Sequence, residues 1–224
     1  MSIIRRDMSL IWDYRFDLLN GLLWTLKISL YSALIALAFS FAGGLGRIAP
    51  LRALRWLAVS YIELFRGTSA VAQLFFFFYV LPYFGLSLSP TFCASLGLGM
   101  CFGAYGSEIV RSCLNQVPVG QYEAAHALNF SRIQTLRLVV MPEALIAMVP
   151  LFGNLLVELI KATSLVSLIT IPELAFQANS IINKTYSATG ILLFTLVIYL
   201  IVAWVVMQMV KRLEYRLNCG RRSG

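Results

Sequence analysis

Charged residues are scarce in this chain. Only 12% of its 224 residues are charged, while 59% are hydrophobic; globular proteins carry about 25% charged residues. A chain with so little charge is not an ordinary soluble domain of this length. The composition instead favours a protein in which several helices cross a membrane.

Residues that could hold a metal or perform catalysis are also lacking. The four cysteines (Cys93, Cys101, Cys113 and Cys219) have no metal-ligand spacing, and the single histidine, His126, has no suitable neighbours. The cysteines are better interpreted as small hydrophobic residues. The sequence has no G-x-x-x-x-G-K-[ST] phosphate-binding loop and no Ser/His/Asp or paired-carboxylate arrangement. We therefore expect no metal site, no catalytic residues and no cofactor in this chain.

Five hydrophobic segments approach the roughly 20 apolar residues that a spanning helix needs. They cover residues 22–46, 59–81, 92–110, 144–160 and 190–210. The sequence therefore predicts an all-α membrane protein with about five transmembrane helices. Pro150 and Gly153 lie inside the fourth segment, which we therefore expect not to be straight.

The remaining segments differ in character. Residues 1–20 mix charge with aromatic side chains and lack a cleavage site, so we predict an interfacial segment rather than a signal peptide. A transmembrane domain is predicted over 21–212 and a basic tail over 213–224. Residues 164–187 alternate between apolar and polar stretches, which leaves open whether they form a further span.

The basic residues predict an orientation. Lys and Arg concentrate after the first span, in the polar stretch 112–142 and in the tail, whereas the loop 82–90 has none. The positive-inside rule places the basic loops and the tail in the cytoplasm, so five spans leave the N-terminus outside. Arg5, Arg6 and Arg15 oppose this assignment but are outnumbered. Topology and anionic membrane lipid account for the net charge of +8 better than a nucleic-acid partner does.

The long polar stretch between the third and fourth spans has an internal pattern. Glu123, Ala124 and Ala125 open a short helix, and the two alanines allow another backbone to approach closely. Asn129 follows where a turn is needed, and asparagine accepts the left-handed conformation better than most residues.

A second helix is predicted directly after that turn. Ser131, with Gln134 three residues later, is typical of a capping box. Arg132 and Arg137 lie on this helix, and Pro142 stiffens the return to the membrane.

The stretch resembles the EAA loop of the membrane subunits of binding-protein-dependent ATP-binding-cassette (ABC) importers. That pattern is Glu-Ala-Ala, three residues, Gly, nine residues, a branched apolar residue, one residue, an apolar residue and Pro. Val139, Met141 and Pro142 fit, and Asn129 stands where the family has Gly. The resemblance implies a coupling helix that docks into a separate ATPase. It assigns ATPase coupling to Glu123, Ala124, Ala125, Asn129, Ser131, Arg132 and Pro142.

The resemblance extends over almost the whole chain, from residue 21 to the tail, and is to the polar amino acid branch (histidine/glutamine/glutamate/arginine-type permeases). It implies a type I ABC importer permease fold and import of an amino acid or similar zwitterion across the bacterial inner membrane. The implied partners are a second identical or homologous permease, ATPase subunits that bind ATP and Mg, and a periplasmic solute-binding protein. Ser69 replaces a common Pro, and Ala162 replaces an acidic residue near the family's substrate contacts. The second change argues against a cationic substrate.

Three acid–base pairs recur at a spacing of three residues, which places each pair on one helix face. We predict Glu63/Arg66 and Glu108/Arg111 to be structural ion pairs near the cytoplasmic ends of helices.

The third pair, Glu158/Lys161, allows two interpretations. With Asn154 and Ser164 it forms a polar group that could line a substrate path. The alternative is a pair that neutralises itself and anchors a helix end. The sequence leaves both open.

A secondary transporter or channel driven by an ion gradient is the alternative function. It predicts inverted repeats and ionisable residues near the membrane midplane. The sequence shows no convincing repeat, and its charges cluster near helix ends. A membrane scaffold that transports nothing would leave the capped polar stretch unexplained.

Overall fold

A computed structural model describes residues 12–222 of the chain, and the side chains of residues 12–217. Arg5 and Arg6, and the side chains of Arg221 and Arg222, lie outside the described residues. The α-helices are α1 (Arg15–Ile48), α2 (Arg52–Gly67), α3 (Ala70–Phe75), α4 (Pro90–Asn115), α5 (Val119–Ala127), α6 (Arg132–Gln134), α7 (Met141–Ala162), α8 (Leu174–Thr185) and α9 (Thr189–Arg222). Between 12 and 222 no strand forms, which confirms the all-α class.

Tighter and wider helical turns extend three of these helices. A π-helical segment, Phe76–Val80, and a 3-10 segment, Leu81–Phe84, continue α3. Another π-helical segment, Thr135–Val140, joins α6 to α7. The 3-10 segment Thr163–Ile169 follows α7.

The predicted number of spans is confirmed. Four stretches are long and apolar enough to cross a membrane: Arg15–Ile48, Pro90–Asn115, Arg132–Ile169 and Thr189–Leu217. A fifth is possible if Arg52–Gly67 and Ala70–Phe84 count as one span, although the two are bent by 106°.

The second predicted span, 59–81, is therefore not one straight helix. Thr68 and Ser69 are extended and end α2 before α3 begins. The buried Gln73 stabilises the break, because its side-chain amide donates to the carbonyl of Phe65 and to the hydroxyl of Thr68, each at 2.8 Å. The backbone groups released at the bend thus find partners inside the protein.

The helix bounds do not coincide with the bounds of the predicted segments. Helix α1 begins at Arg15 and so includes residues 15–20 of the predicted interfacial segment. Residues 164–187 do not form a span, because α8 has only 12 residues. Helix α9 continues through most of the predicted tail. Pro150 does not break α7, which runs from Met141 to Ala162.

Helices α1 and α4 pack closely through glycine. A Cβ atom at Gly99 would lie 2.5 Å from Ile35 Cγ2, and one at Gly44 would lie 2.6 Å from Val110 Cβ. Contacts thus follow the same order along both helices, which are parallel. Gly103 meets Phe39 in the same way, and small residues at such positions let two membrane helices approach closely.

A second apolar cluster lies where the polar loop meets the bundle. It contains Val110, Cys113, Leu114, Val117, Val140, Ala144 and Met148. These residues join the end of α4 to the beginning of α7. Cys93, Cys101 and Cys113 are free and buried, as expected of small hydrophobic residues.

Candidate functional site

The polar loop between α4 and α7, which we call the coupling loop (residues 116–142), contains a well-defined turn. Asn129 has φ of 56°, which confirms the predicted left-handed conformation. Its N–H donates to the His126 carbonyl at 2.9 Å, and the Phe130 N–H donates to the Ala125 carbonyl at 3.0 Å. These two bonds form a Schellman motif that ends α5.

The predicted capping box follows immediately. The Ser131 N–H donates to Gln134 Oε1 at 2.8 Å, and the Gln134 N–H donates to Ser131 Oγ at 3.3 Å. The box starts α6, so α5 and α6 make a helix–turn–helix whose turn is fixed by bonds within the loop. Pro142 is the second residue of α7 and follows directly on the π-helical segment Thr135–Val140.

The two alanines of the Glu-Ala-Ala sequence differ in burial. Ala125 is 2% exposed and packs inside the chain, whereas Glu123, Ala124 and Arg132 are exposed. Ala125 therefore holds α5 in place from within the chain, and the other three side chains are accessible. Exposed apolar side chains extend this outer face: Val119, Leu128 and Ile133.

The coupling loop is attached to two spans. The Tyr122 hydroxyl donates to the Leu114 carbonyl of α4 at 3.3 Å. Val117 and Val140, on either side of the loop, are both buried in the cluster that α4 and α7 share. Movement of α5 would thus be transmitted to both spans.

Glu108 is the centre of a larger ionic cluster than the sequence predicts. The predicted partner, Arg111, donates from Nε to Glu108 Oε2 at 2.9 Å. Arg47 of α1 also pairs with Glu108, and Arg66 Nη1 of α2 lies 3.4 Å from Oε1. One carboxylate thus meets three guanidinium groups, from three helices.

The predicted Glu63/Arg66 pair does not occur. Among residues 12–217 the ion pairs contain no contact between these two side chains, because Arg66 is directed at Glu108. Glu63 is exposed instead. The spacing of three places Glu63 and Arg66 on one helix face. Arg66 nevertheless contacts Glu108, which lies on another helix.

The candidate substrate-path residues share one exposed face of α7. Asn154, Glu158 and Lys161 are all exposed, and within the described side chains Glu158 and Lys161 form no ion pair. Ser164 lies one turn further, and its hydroxyl donates to the Lys161 carbonyl at 2.9 Å. The structure thus does not show the self-neutralising pair.

Charges on this face of α7 need a polar surrounding. A charged side chain in a membrane segment costs at least about 2.5 kcal/mol. Glu158 and Lys161 must therefore face water or another protein rather than lipid. The apolar groove between α1, α7 and α9 is a poor substrate site by comparison, since it is lined by residues such as Leu37, Phe152 and Val210.

A buried carboxylate at the other end of the bundle escaped the sequence prediction. Glu173 has no exposed surface and caps α8, accepting from the N–H groups of Ala175 and Phe176 at 2.9 and 2.7 Å. The Tyr199 hydroxyl of α9 donates to Glu173 Oε2 at 2.8 Å, and the Thr25 hydroxyl of α1 donates at 3.4 Å. The carboxylate thus joins three helices.

Burial governs the electrostatics of Glu173. It raises the pKa of the carboxyl, and the hydrogen bonds from Ala175 and Tyr199 only partly offset this effect. The sequence contained only a general signal, since an acidic residue is favourable near the beginning of a helix. Its partners, however, lie far away in the chain.

The chain belongs to the family of binding-protein-dependent transport system inner membrane components, whose model matches residues 35–218. It is thus a multi-pass permease subunit of an ABC importer.

Relatives cover nearly the whole chain. It is 38% identical over 218 residues to a probable amino-acid ABC transporter permease of Sinorhizobium fredii, covering 94% of this chain and 92% of that protein. The nopaline transport system permease of Agrobacterium fabrum is 36% identical, with 97% and 94% covered. The glutamine transport system permease of Escherichia coli is 34% identical, with 95% and 98% covered.

Solved structures confirm the fold. An amino acid ABC transporter crystallised with histidines superposes with a TM-score of 0.86 at 27% identity, covering 92% of this chain and 96% of the other. The inward-facing MetNI methionine ABC transporter gives a TM-score of 0.78 at 18% identity, covering 92% and 98%. The predicted type I importer permease fold is therefore confirmed.

Proposed function

We propose that this permease imports an amino acid or a related zwitterion across the inner membrane. The exposed polar face of α7 carries the proposal, because a zwitterion needs both a carboxylate and a cation. Glu158 receives the ammonium group of the substrate, and Lys161 attracts its carboxylate. Asn154 and Ser164 extend the same face. The relatives' names support this substrate class, since they refer to amino acids, glutamine and nopaline.

The partners follow from the two exposed sites. A second identical or homologous permease covers the α7 face and encloses the path. Separate ATPase subunits dock on the coupling loop and bind the ATP and Mg that this chain has no loop to hold. A periplasmic solute-binding protein delivers the substrate. The N-terminus lies outside and the C-terminus in the cytoplasm, which places the coupling loop on the side where ATP is available.

The mechanism uses the rigid attachment of the coupling loop. When ATP brings the two ATPase subunits together, each subunit carries its coupling loop inward. Because the loop is fixed to both α4 and α7, the spans move with it and the path changes the side on which it opens. ATP and the binding protein shift this equilibrium only because each prefers one state.

Substitutions at the two alanines test the docking surface. Ala124→Trp adds a large ring to the exposed face and should prevent co-purification of the ATPase without unfolding the permease. Ala124→Ser is the matched control and should assemble normally. Ala125→Trp should instead destabilise the loop itself, because Ala125 is buried. Normal assembly and normal substrate-stimulated ATP hydrolysis of Ala124→Trp would refute the proposed docking face.

The substrate path is tested at Glu158. Glu158→Gln, in a complex that still assembles, should lower uptake at least ten-fold while basal ATP hydrolysis persists. Glu158→Asp retains the charge and should recover part of the uptake. Unchanged uptake kinetics in Glu158→Gln would exclude Glu158 from substrate binding.

A further inference from the structure

Helix α2 does not stand upright beside the other spans. Helix α3 runs along α4, since a Cβ atom at Gly97 would meet Leu74 at 3.0 Å and the Cys93 thiol donates to the Phe77 carbonyl at 3.3 Å. Helix α2 is bent by 106° from this direction. It therefore crosses the bundle instead of extending α3 toward the opposite surface.

Both halves of α2 contact the same end of the bundle. In its first half, Ala58 packs against Gly46 near the end of α1. At its end, Arg66 contacts Glu108, which also pairs with Arg47 in the last turn of α1. An upright helix would carry Arg66 about 21 Å from Arg52 toward the far side, at about 1.5 Å per residue. Arg66 instead stays near the carboxylate that Arg47 contacts, so α2 does not carry it to the far side.

The surface of α2 has three distinct sides. Ala58 and Ile62 are buried against the bundle. Leu57 and Leu64, seven residues apart and each 60% exposed, lie on a second side. The third side is charged and exposed, and its residues are Arg52, Arg55, Glu63 and Arg66. Leucines on one edge and arginines on another are typical of a helix at a membrane surface.

We propose that α2 lies in the plane of the membrane at the surface nearest the coupling loop and binds anionic phospholipid. Its leucine edge enters the acyl chains, and Arg52 and Arg55 contact lipid phosphates. With Arg66 paired to Glu108, two arginines against one glutamate still give this edge a net positive charge, which complements anionic headgroups. Trp56 is 70% exposed beside them, and tryptophan favours the headgroup layer. This inference rests on the proposed function in one respect, which is the assignment of this surface to the cytoplasmic side of the membrane.

Depth measurements test the position of the helix. Single nitroxide labels are placed at Leu57 or Leu64 in the full chain, reconstituted in vesicles, with Cys219 replaced by serine because the other cysteines are buried. Relative accessibility to oxygen and to a nickel chelate reports depth. In-plane packing predicts equal depths for the two labels.

Leu23 and Leu30 of α1 provide the matched control, since they are also seven residues apart and are 64% and 59% exposed. In a spanning helix such a pair should differ in depth by about 10 Å. A comparable difference between Leu57 and Leu64 would overturn the proposal. The measurement involves no transport, so its failure would leave the proposed function intact.

Lipid composition tests the arginine edge. Spin-labelled phosphatidylglycerol should associate with the reconstituted chain more strongly than spin-labelled phosphatidylcholine. Arg52→Gln/Arg55→Gln should reduce this preference by more than five-fold, since each arginine near the surface contributes about five-fold. Arg52→Lys/Arg55→Lys retains the charge and should retain the preference. An unmodified chain that shows no preference, or a glutamine variant that keeps it, would refute anionic lipid binding.

Discussion

The two ends of the helical bundle keep their shape by different means. In the coupling loop, the bonds that fix the turn join residues at most five positions apart, such as Ala125 and Phe130. At the opposite end, Glu173 joins Thr25 to Tyr199 across most of the chain. The difference indicates that the coupling loop folds as a local unit with a free outer face. The arrangement around Glu173 at the α8 end, in contrast, forms only when three helices have packed together.

The largest effect should come from removing the carboxylate of Glu173. Glu173→Ala leaves several buried donors without an acceptor and should lower the free energy of unfolding by about 3 kcal/mol. Chemical denaturation in mixed micelles measures this loss. Glu63→Ala, at an exposed glutamate, is the control and should change stability little. Equal effects of the two variants would contradict the assigned role of Glu173.

A smaller loss is expected at the turn of the coupling loop. Asn129→Val should cost about 1–2 kcal/mol, because a β-branched residue is strained in the left-handed region. Asn129→Gly should be tolerated or slightly stabilising. The stability of both variants can be measured by chemical denaturation, as for Glu173→Ala. A valine variant as stable as the glycine variant would refute the local account of this turn.

The capping box should contribute less again. Ser131→Ala removes the acceptor of the Gln134 N–H and should cost about 1 kcal/mol. Because the box is local, hydrogen exchange should increase in α6 and not in α8. Increased exchange in α8 would show that the two ends are coupled more strongly than the bonds indicate.

The finest distinction concerns pH. Because burial raises the pKa of Glu173 above about 4.5, the folded chain keeps a proton that the unfolded chain has released. Its contribution to stability is therefore complete at low pH and declines as the pH rises from about 4.5 through the folded pKa. The stability of the unmodified chain relative to Glu173→Gln should thus be greater at pH 4 than at pH 7. A constant difference would mean that the pKa is not raised.

Much of the coupling loop could be predicted from the sequence. The turn at Asn129 and the box between Ser131 and Gln134 depend on neighbours in the chain, and the structure contains both. The coupling and substrate roles of these exposed side chains remain predictions. The sequence also indicated the number of spans, because the length of an apolar segment is a local property.

Features built from distant residues could not be predicted. The spacing of Glu63 and Arg66 shows that both lie on one helix face. It does not show that Glu108, on another helix, lies next to Arg66. The bend after α2 depends on Gln73, which folds back onto Phe65. Glu173 was not singled out in the sequence, because its contact with Tyr199 depends on the packing of α8 against α9.

The close packing of α1 against α4 has a consequence for how relatives of this protein can differ. A methyl group at Gly44 would lie 2.6 Å from Val110 Cβ and 3.0 Å from the carbonyl oxygen of Ser107, and one at Gly99 would lie 2.6 Å from Ile35 Cβ and 3.2 Å from the carbonyl oxygen of Ser32. A smaller partner side chain would leave these Cβ and backbone contacts in place. In an alignment of close relatives, Gly44 and Gly99 should therefore remain glycine, whereas the open Gly120 should vary.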